Sequence, residues 1–302
     1  SVFDDLESQI DYYQESLVIA KEMGDSSEIA TTLMKLGNTH YSSMSKEAIN
    51  YYNQALVIYE KLDDLDNVIW AVRNIGLVYD ISYDYDKALK YYEQALAIAE
   101  ENEHKFWIIR ITRQIGSIYY DKGDEDKAFD LFNLSLEMAE KEGNKKWIRN
   151  VLRLIGWQCY LGGYYSKALD YFNREHRIIE EIGDNWGNSN NLTNIGLVYF
   201  QQEDYNKAVE NLEKSATIQM EIDSTIKLET ASHLFLSKKI LGQEYNITEI
   251  HALIKEQEEI KDYLNFALFK LLEDTSYLET AYNQVQEKAD NLEPDVAAKF
   301  LS

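Results

Sequence analysis

Apolar residues recur along this chain at helical spacing, and the same arrangement returns five times. Its plainest copy is RNIGLVYDISYDYDKALKYYEQAL, residues 73–96. Counting from Gly76 as zero, apolar side chains stand at −8, −5, −1, +2 and +3, as Val68, Ala71, Ile75, Val78 and Tyr79; the next copy repeats them as Ile108, Ile111, Ile115, Ile118 and Tyr119. At about 100° per residue these positions share one narrow sector, which predicts an amphipathic helix; the period of two that a strand requires is missing. The marker pairs are Leu36/Gly37, Ile75/Gly76, Ile115/Gly116, Ile155/Gly156 and Ile195/Gly196, with glycines spaced 39, 40, 40 and 40 residues apart. Eleven or twelve residues after each glycine comes an alanine, at Ala48, Ala88, Ala128, Ala168 and Ala208. A fixed period in this range marks a stacked array in which each unit holds two helices and two short turns. The expected pairs are 26–62, 65–102, 105–142, 145–182 and 185–222. Mid-helix glycine costs about 1 kcal/mol relative to alanine, so close approach of the partner helix is expected to offset it.

The segment YYQESLVIAKEMGD from Tyr12 aligns with YYNQALVIYEKLDD from Tyr51. It predicts a second helix without its first, a half repeat over 5–24. Either the array begins with a half-repeat cap or the chain is cut from something longer, and the second is the preferred expectation. Asp84, Asp124 and Asp204 are placed to cap the second helices of their pairs, and Gly143-Asn144 and Gly183-Asp184 to end one helix and start the next. Beyond 222 the pattern weakens, because Leu236 and Thr248 stand where glycine and alanine would fall. The organisation is therefore read as an array over 1–222 followed by degenerate helices over 223–302: about 224–242, 247–259, 261–273 and 276–290, then a turn at Leu292-Glu293-Pro294 and a short final helix.

The glycine followed by an aromatic (His40/Tyr41, Tyr79, Tyr119, Tyr160, Tyr199), the Lys-Ala pair and the tyrosine-rich second helix resemble the tetratricopeptide repeat. The period is longer than the common form of about 34 residues. It resembles the roughly 40-residue subtype of kinesin light chains and bacterial peptide-sensing regulators. The resemblance implies an all-α, right-handed solenoid of antiparallel helix pairs, whose first helices line a concave groove, and a protein- or peptide-binding role.

That implication gives meaning to a second stripe on the first helices, at −6, −3, +1 and +4. It holds Thr31, Trp70, Arg110, Asn150 and Asn190; Met34, Arg73, Arg113, Arg153 and Thr193; Asn38, Leu77, Ser117, Trp157 and Leu197; and Tyr41, Asp80, Tyr120, Tyr160 and Phe200. Four arginines and six aromatics accompany a single acid, where composition alone would place about three or four acids. Arginine, tryptophan and tyrosine dominate binding hot spots. Asn74, Gln114 and Asn194 flank the stripe with amides suited to an extended peptide backbone. The expected groove therefore comprises Trp70, Arg73, Asn74, Arg110, Arg113, Gln114, Tyr120, Asn150, Arg153, Trp157, Tyr160, Asn190 and Asn194. Its expected ligand is an acidic or C-terminal peptide segment, because arginine holds a carboxylate through two parallel hydrogen bonds. The competing reading is that the column of Arg73, Arg113 and Arg153 pairs with acids of neighbouring repeats.

Charge narrows the partners further. With 53 Asp and Glu against 30 Lys and Arg, the formal charge of −23 opposes general binding to nucleic acid or anionic membranes. The single cysteine, Cys159, forms no internal disulfide, which fits a cytoplasmic setting, and it falls on the packing pattern. His40, His104, His176, His233 and His251 share no metal-ligand spacing, and phosphate-cradling glycine motifs are missing. The expectation is a scaffold without catalytic residues, metal or cofactor. Two alternatives stay open: the regulatory arm of a larger bacterial signalling enzyme or transcription regulator, with covalently linked domains beyond these residues, and a receptor whose superhelical pitch tightens around a small peptide.

Overall fold

The computed structural model describes residues 2–41, 46–257 and 260–290, and every regular element among them is an α-helix. The expected turn at Leu292-Glu293-Pro294 and the helix after it lie outside the described residues. The chain divides into two compact units, 1–138 and 139–302.

The first unit contains α1 (Val2–Met23), the pair α2 (Ser26–Tyr41) and α3 (Lys46–Lys61), the pair α4 (Leu65–Ile81) and α5 (Tyr85–Glu101), then α6 (Lys105–Asp121) and most of α7 (Glu125–Glu142). Its core is built from the repeat positions: Tyr52, Tyr59, Ile75, Tyr92, Ile111, Ile118 and Phe132 are buried. The second unit contains the pairs α8 (Lys145–Leu161) with α9 (Tyr165–Ile182) and α10 (Asn185–Gln201) with α11 (Tyr205–Asp223). These are followed by α12 (Leu228–Ile240), α13 (Ile247–Lys255), α14 (Asp262–Leu272) and α15 (Thr275–Asp290). Helices α11 to α14 share one apolar core through Leu212, Leu234, Phe235, Leu236, Ile250, Leu268 and Leu271. Leu236, which replaces the repeat glycine, is one of its buried members.

Two local devices set the repeat geometry. Aspartates cap the second helices: Asp84 and Asp124 each accept the backbone N–H three residues on at 3.3 Å, and Asp204 does so at 3.2 Å. The repeat glycines admit bulky side chains of the second helices, aromatic rings at Gly37, Gly76, Gly116 and Gly156 and Leu212 at Gly196. A Cβ on Gly76 would lie 2.8 Å from the Tyr92 ring, one on Gly116 2.8 Å from Phe132, and one on Gly156 2.7 Å from Phe172. The helix backbone and a buried ring thus share space that any side chain would fill. Among the described residues no helix is long and apolar enough to cross a membrane.

Candidate functional site

In the first unit, the polar residues of α4 and α6 converge on one guanidinium. Arg73 is only 7% exposed; its Nε donates to Gln114 Oε1 and its Nη1 to Asn74 Oδ1, each at 2.8 Å. Gln114 Nε2 donates to the Tyr92 hydroxyl at 3.2 Å, and that hydroxyl donates to Asp80 Oδ2 at 3.1 Å. The network continues outward at Asn38, whose Oδ1 accepts from the Tyr52 hydroxyl at 2.8 Å. Spacing within the two helices explains the convergence. Arg73 and Asp80 lie on one side of α4 two turns apart, and Gln114 is the residue of α6 at the level of Arg73.

The electrostatics of this cluster are unusual because its acceptors are mostly neutral. Burial, together with the nearby positive charge of Arg110, pushes the Arg73 guanidinium down to about 10, so it still carries its proton at neutral pH. Arg110 is half-buried, packs 5.7 Å above the Trp107 ring, and is also pushed down by burial. Burial pushes the Asp80 carboxyl up to about 6, against the Tyr92 hydrogen bond and the charges of Arg73 and Arg113. Trp70, Arg113 and Tyr120 are half-buried on the same set of helices.

These positions correct two expectations. Asn74 and Gln114 were expected to offer amides to a peptide backbone, but both are buried and already bonded, and they orient Arg73 instead. Nor is Arg73 paired with an acid of the neighbouring repeat: its hydrogen-bond acceptors among the described residues are two neutral amides.

The second unit presents a different surface. Asn150 and Arg153 are exposed on α8, and Asn190 and Asn194 are half-buried on α10. Trp157 stacks on Tyr160 with ring centroids 5.0 Å apart, and Gln201 Nε2 donates to the Tyr160 hydroxyl at 3.3 Å. Lys227, just before α12, donates to Asn190 Oδ1 at 2.6 Å and lies 4.8 Å over the ring of Trp186. Arg149 pairs with Asp184 and donates to Asn150 Oδ1 at 3.3 Å. The sequence reading missed Lys227 and Trp186. Lys227 lies beyond the last periodic unit, and Trp186 precedes the stripe by a full turn; the signal that could have found them is the aromatic and cationic character they share with the stripe.

Tetratricopeptide repeat models match residues 28–101, 107–181 and 189–219. The chain belongs to the tetratricopeptide repeat family. A comparison with curated proteins returned no match. Among solved structures, this repeat protein is similar to Rap protein complexed with competence and sporulation factor, with a TM-score of 0.58, 18% identity, and coverage of 98% of this chain and 84% of that one. It is also similar to NprR in complex with its cognate peptide NprX, with a TM-score of 0.50, 20% identity, and coverage of 96% and 90%. A third is aspartyl phosphate phosphatase F from Bacillus subtilis, with a TM-score of 0.63, 15% identity, and coverage of 94% and 72%. At these identities the likeness is one of fold: an all-α tetratricopeptide solenoid of antiparallel helix pairs.

Proposed function

We propose that the chain is a non-enzymatic peptide-binding scaffold whose first unit takes a carboxylate, from an acidic side chain or a peptide C-terminus, at Arg73 and Arg110. The observation that carries this reading is Arg73 itself: a guanidinium more than nine-tenths buried, held in place by amides, with a second arginine beside it. Buried charges are normally matched by opposite ones. Here neutral amides fix the cation, and the nearby acid, Asp80, is held back by a raised pKa, so a ligand carboxylate can complete the match. In the second unit Asn150, Arg153, Trp157, Tyr160, Asn190 and Asn194, joined by Lys227, form a mixed amide and aromatic surface suited to main-chain groups and apolar side chains. The fold shared with Rap and NprR, whose structures contain a bound factor or peptide, supports the reading.

The test is a peptide array in which each sequence is printed with a free and with an amidated C-terminus, probed with the wild-type chain and with Arg110→Glu. Binders should depend on an acidic side chain or a free C-terminus. The variant, which opposes the ligand charge beside Arg73, should bind them at least tenfold more weakly, a loss of about 1.4 kcal/mol. Binders that are basic, or indifferent to the substitution, would remove the site from this place.

Asp80 adds a pH dependence with a definite sign. Below about 6 its carboxyl is neutral and leaves the arginines to the incoming carboxylate; above that it is ionised and competes for them. Affinity for an acidic peptide should therefore fall several-fold as the pH rises from 5 to 7.5, since the ligand's own carboxylate remains mostly charged across that range. Asp80→Asn should bind more tightly at pH 7.5 and show a flat profile in fluorescence titrations.

A further inference from the structure

The seam between α9 and α10, inside the second unit, breaks the composition of every corresponding seam. Nineteen residues after the repeat glycine the other units carry alanine or serine, at Ala55 by its shorter spacing, Ala95, Ser135 and Ser215; here the residue is Glu175. The next position is Leu56, Leu96, Leu136 and Ala216 elsewhere and His176 here. On the facing first helix, the position eight before the glycine is Ile29, Val68, Ile108 and Ile148 elsewhere and Asn188 here. The position five before it is Thr32, Ala71, Ile111 and Val151 elsewhere and Asn191 here. Four positions of one helix-helix interface, two on each helix, are thus polar where the repeat is chiefly apolar or small.

The structure shows what the replacement costs. Glu175 is 1% exposed and Asn191 is fully buried. Asn191 Nδ2 ties the two helices together by donating to Phe172 O and to Glu175 Oε2, both at 2.9 Å. Among the described residues its Oδ1 is buried without a partner, as are His176 Nδ1 and Asn188 Oδ1. Unsatisfied buried polar atoms each cost about 1–3 kcal/mol, so this seam is weakly held compared with its apolar counterparts. A cavity of about 670 Å³, lined by His176, Asn188, Leu192 and Tyr199 among others, opens on the same seam and brings solvent to its edge.

We infer that the α9–α10 seam is a joint within the second unit, closed while Glu175 is protonated and opened when it ionises. In the closed form the carboxyl is dry, and its tie to Asn191 is satisfied by a neutral acid. Ionisation leaves a carboxylate in that dry position. Arg149 and Arg153 of α8 attract it, but Arg149 is already paired with Asp184, which repels it from the α9–α10 turn. His176 is the adjoining titratable group on α9 itself. The local route to hydration is separation of the two helices toward the cavity.

The sign and window follow from the carboxyl. Burial pushes it up to about 7, against the hydrogen bond from Asn191 and the charges of Arg153 and Arg149. In the open joint it returns to the ordinary carboxylate range. Protonation's contribution to closure is therefore complete below that range and is lost as the pH rises through about 7. Between pH 5.5 and 8.5 the open-to-closed ratio should rise about 30-fold.

Hydrogen exchange of the full chain, followed by mass spectrometry across this pH range and corrected for intrinsic amide exchange, tests the inference. Peptides from α9 and α10 should lose protection about 30-fold, while those from α3, which carries no buried carboxyl, change little. Glu175→Gln keeps the bond to Asn191 and cannot ionise, so it should hold these peptides at their low-pH protection throughout. A wild type whose corrected protection in α9 and α10 is flat with pH overturns the joint without reference to any variant. A response that survives Glu175→Gln also overturns it.

Discussion

Replacing Phe172 by alanine is expected to lower the stability of the second unit by about 3–5 kcal/mol, the range for a large aromatic lost from a core that cannot close around the space. Phe172 is fully buried, and its ring rests where a side chain on Gly156 would be. The same geometry predicts a penalty from the opposite side. Alanine is the better helix former by about 1 kcal/mol, yet Gly156→Ala should destabilise by about 1–3 kcal/mol, because its Cβ would meet the ring at 2.7 Å. In Gly156→Ala/Phe172→Ala the clash is gone, so the double variant should cost less than the two single changes added together. Urea unfolding followed at Trp147, Trp157 and Trp186, which all lie in the second unit, measures each term. Additive costs would mean that ring and glycine do not lock together.

This lock explains why so much of the fold was legible. A residue whose absence of side chain is required, followed at a fixed distance by a large ring, leaves a periodic trace that survives variation elsewhere. Gly76 with Tyr92, Gly116 with Phe132 and Gly156 with Phe172 all keep a spacing of 16 residues. The all-helical class, the antiparallel pairing and the family follow from that trace and from the caps. Side-chain burial on the polar stripe was not legible in the same way. Periodicity locates the direction of Arg73 around its helix axis, but not whether the next first helix will place Gln114 against it. That depends on the distance between helices, which the glycine lock sets and the sequence does not display. Asn74 and Gln114 accordingly looked like ligand-binding amides and proved to be the internal cradle of a charge. Glu175 is the converse case. Its departure from the alanine and serine column was visible in the letters, but its burial and its bond to Asn191 appear only once α9 and α10 are packed.

The second large effect lies in that cradle. Gln114→Leu should destabilise the first unit by about 3 kcal/mol, because it removes the acceptor of Arg73 Nε and the donor to the Tyr92 hydroxyl while leaving both groups buried. Breaking a buried charged contact from one side is costly, whereas replacing both partners with apolar side chains of similar volume is often close to neutral. Arg73→Met/Gln114→Leu is therefore expected to recover most of the loss, as read by urea unfolding at Trp70 and Trp107. If Gln114→Leu alone costs less than about 1 kcal/mol, the guanidinium is satisfied from the solvent side and the amide cradle does not hold it. The double variant then separates architecture from function. Its helices should pack as before, with Gly76 still accommodating Tyr92, but the buried cation that a carboxylate would seek is gone. Folding should thus be retained while acidic peptides are lost. Retained binding of such peptides by a folded double variant would show that Arg73 is part of the scaffold alone.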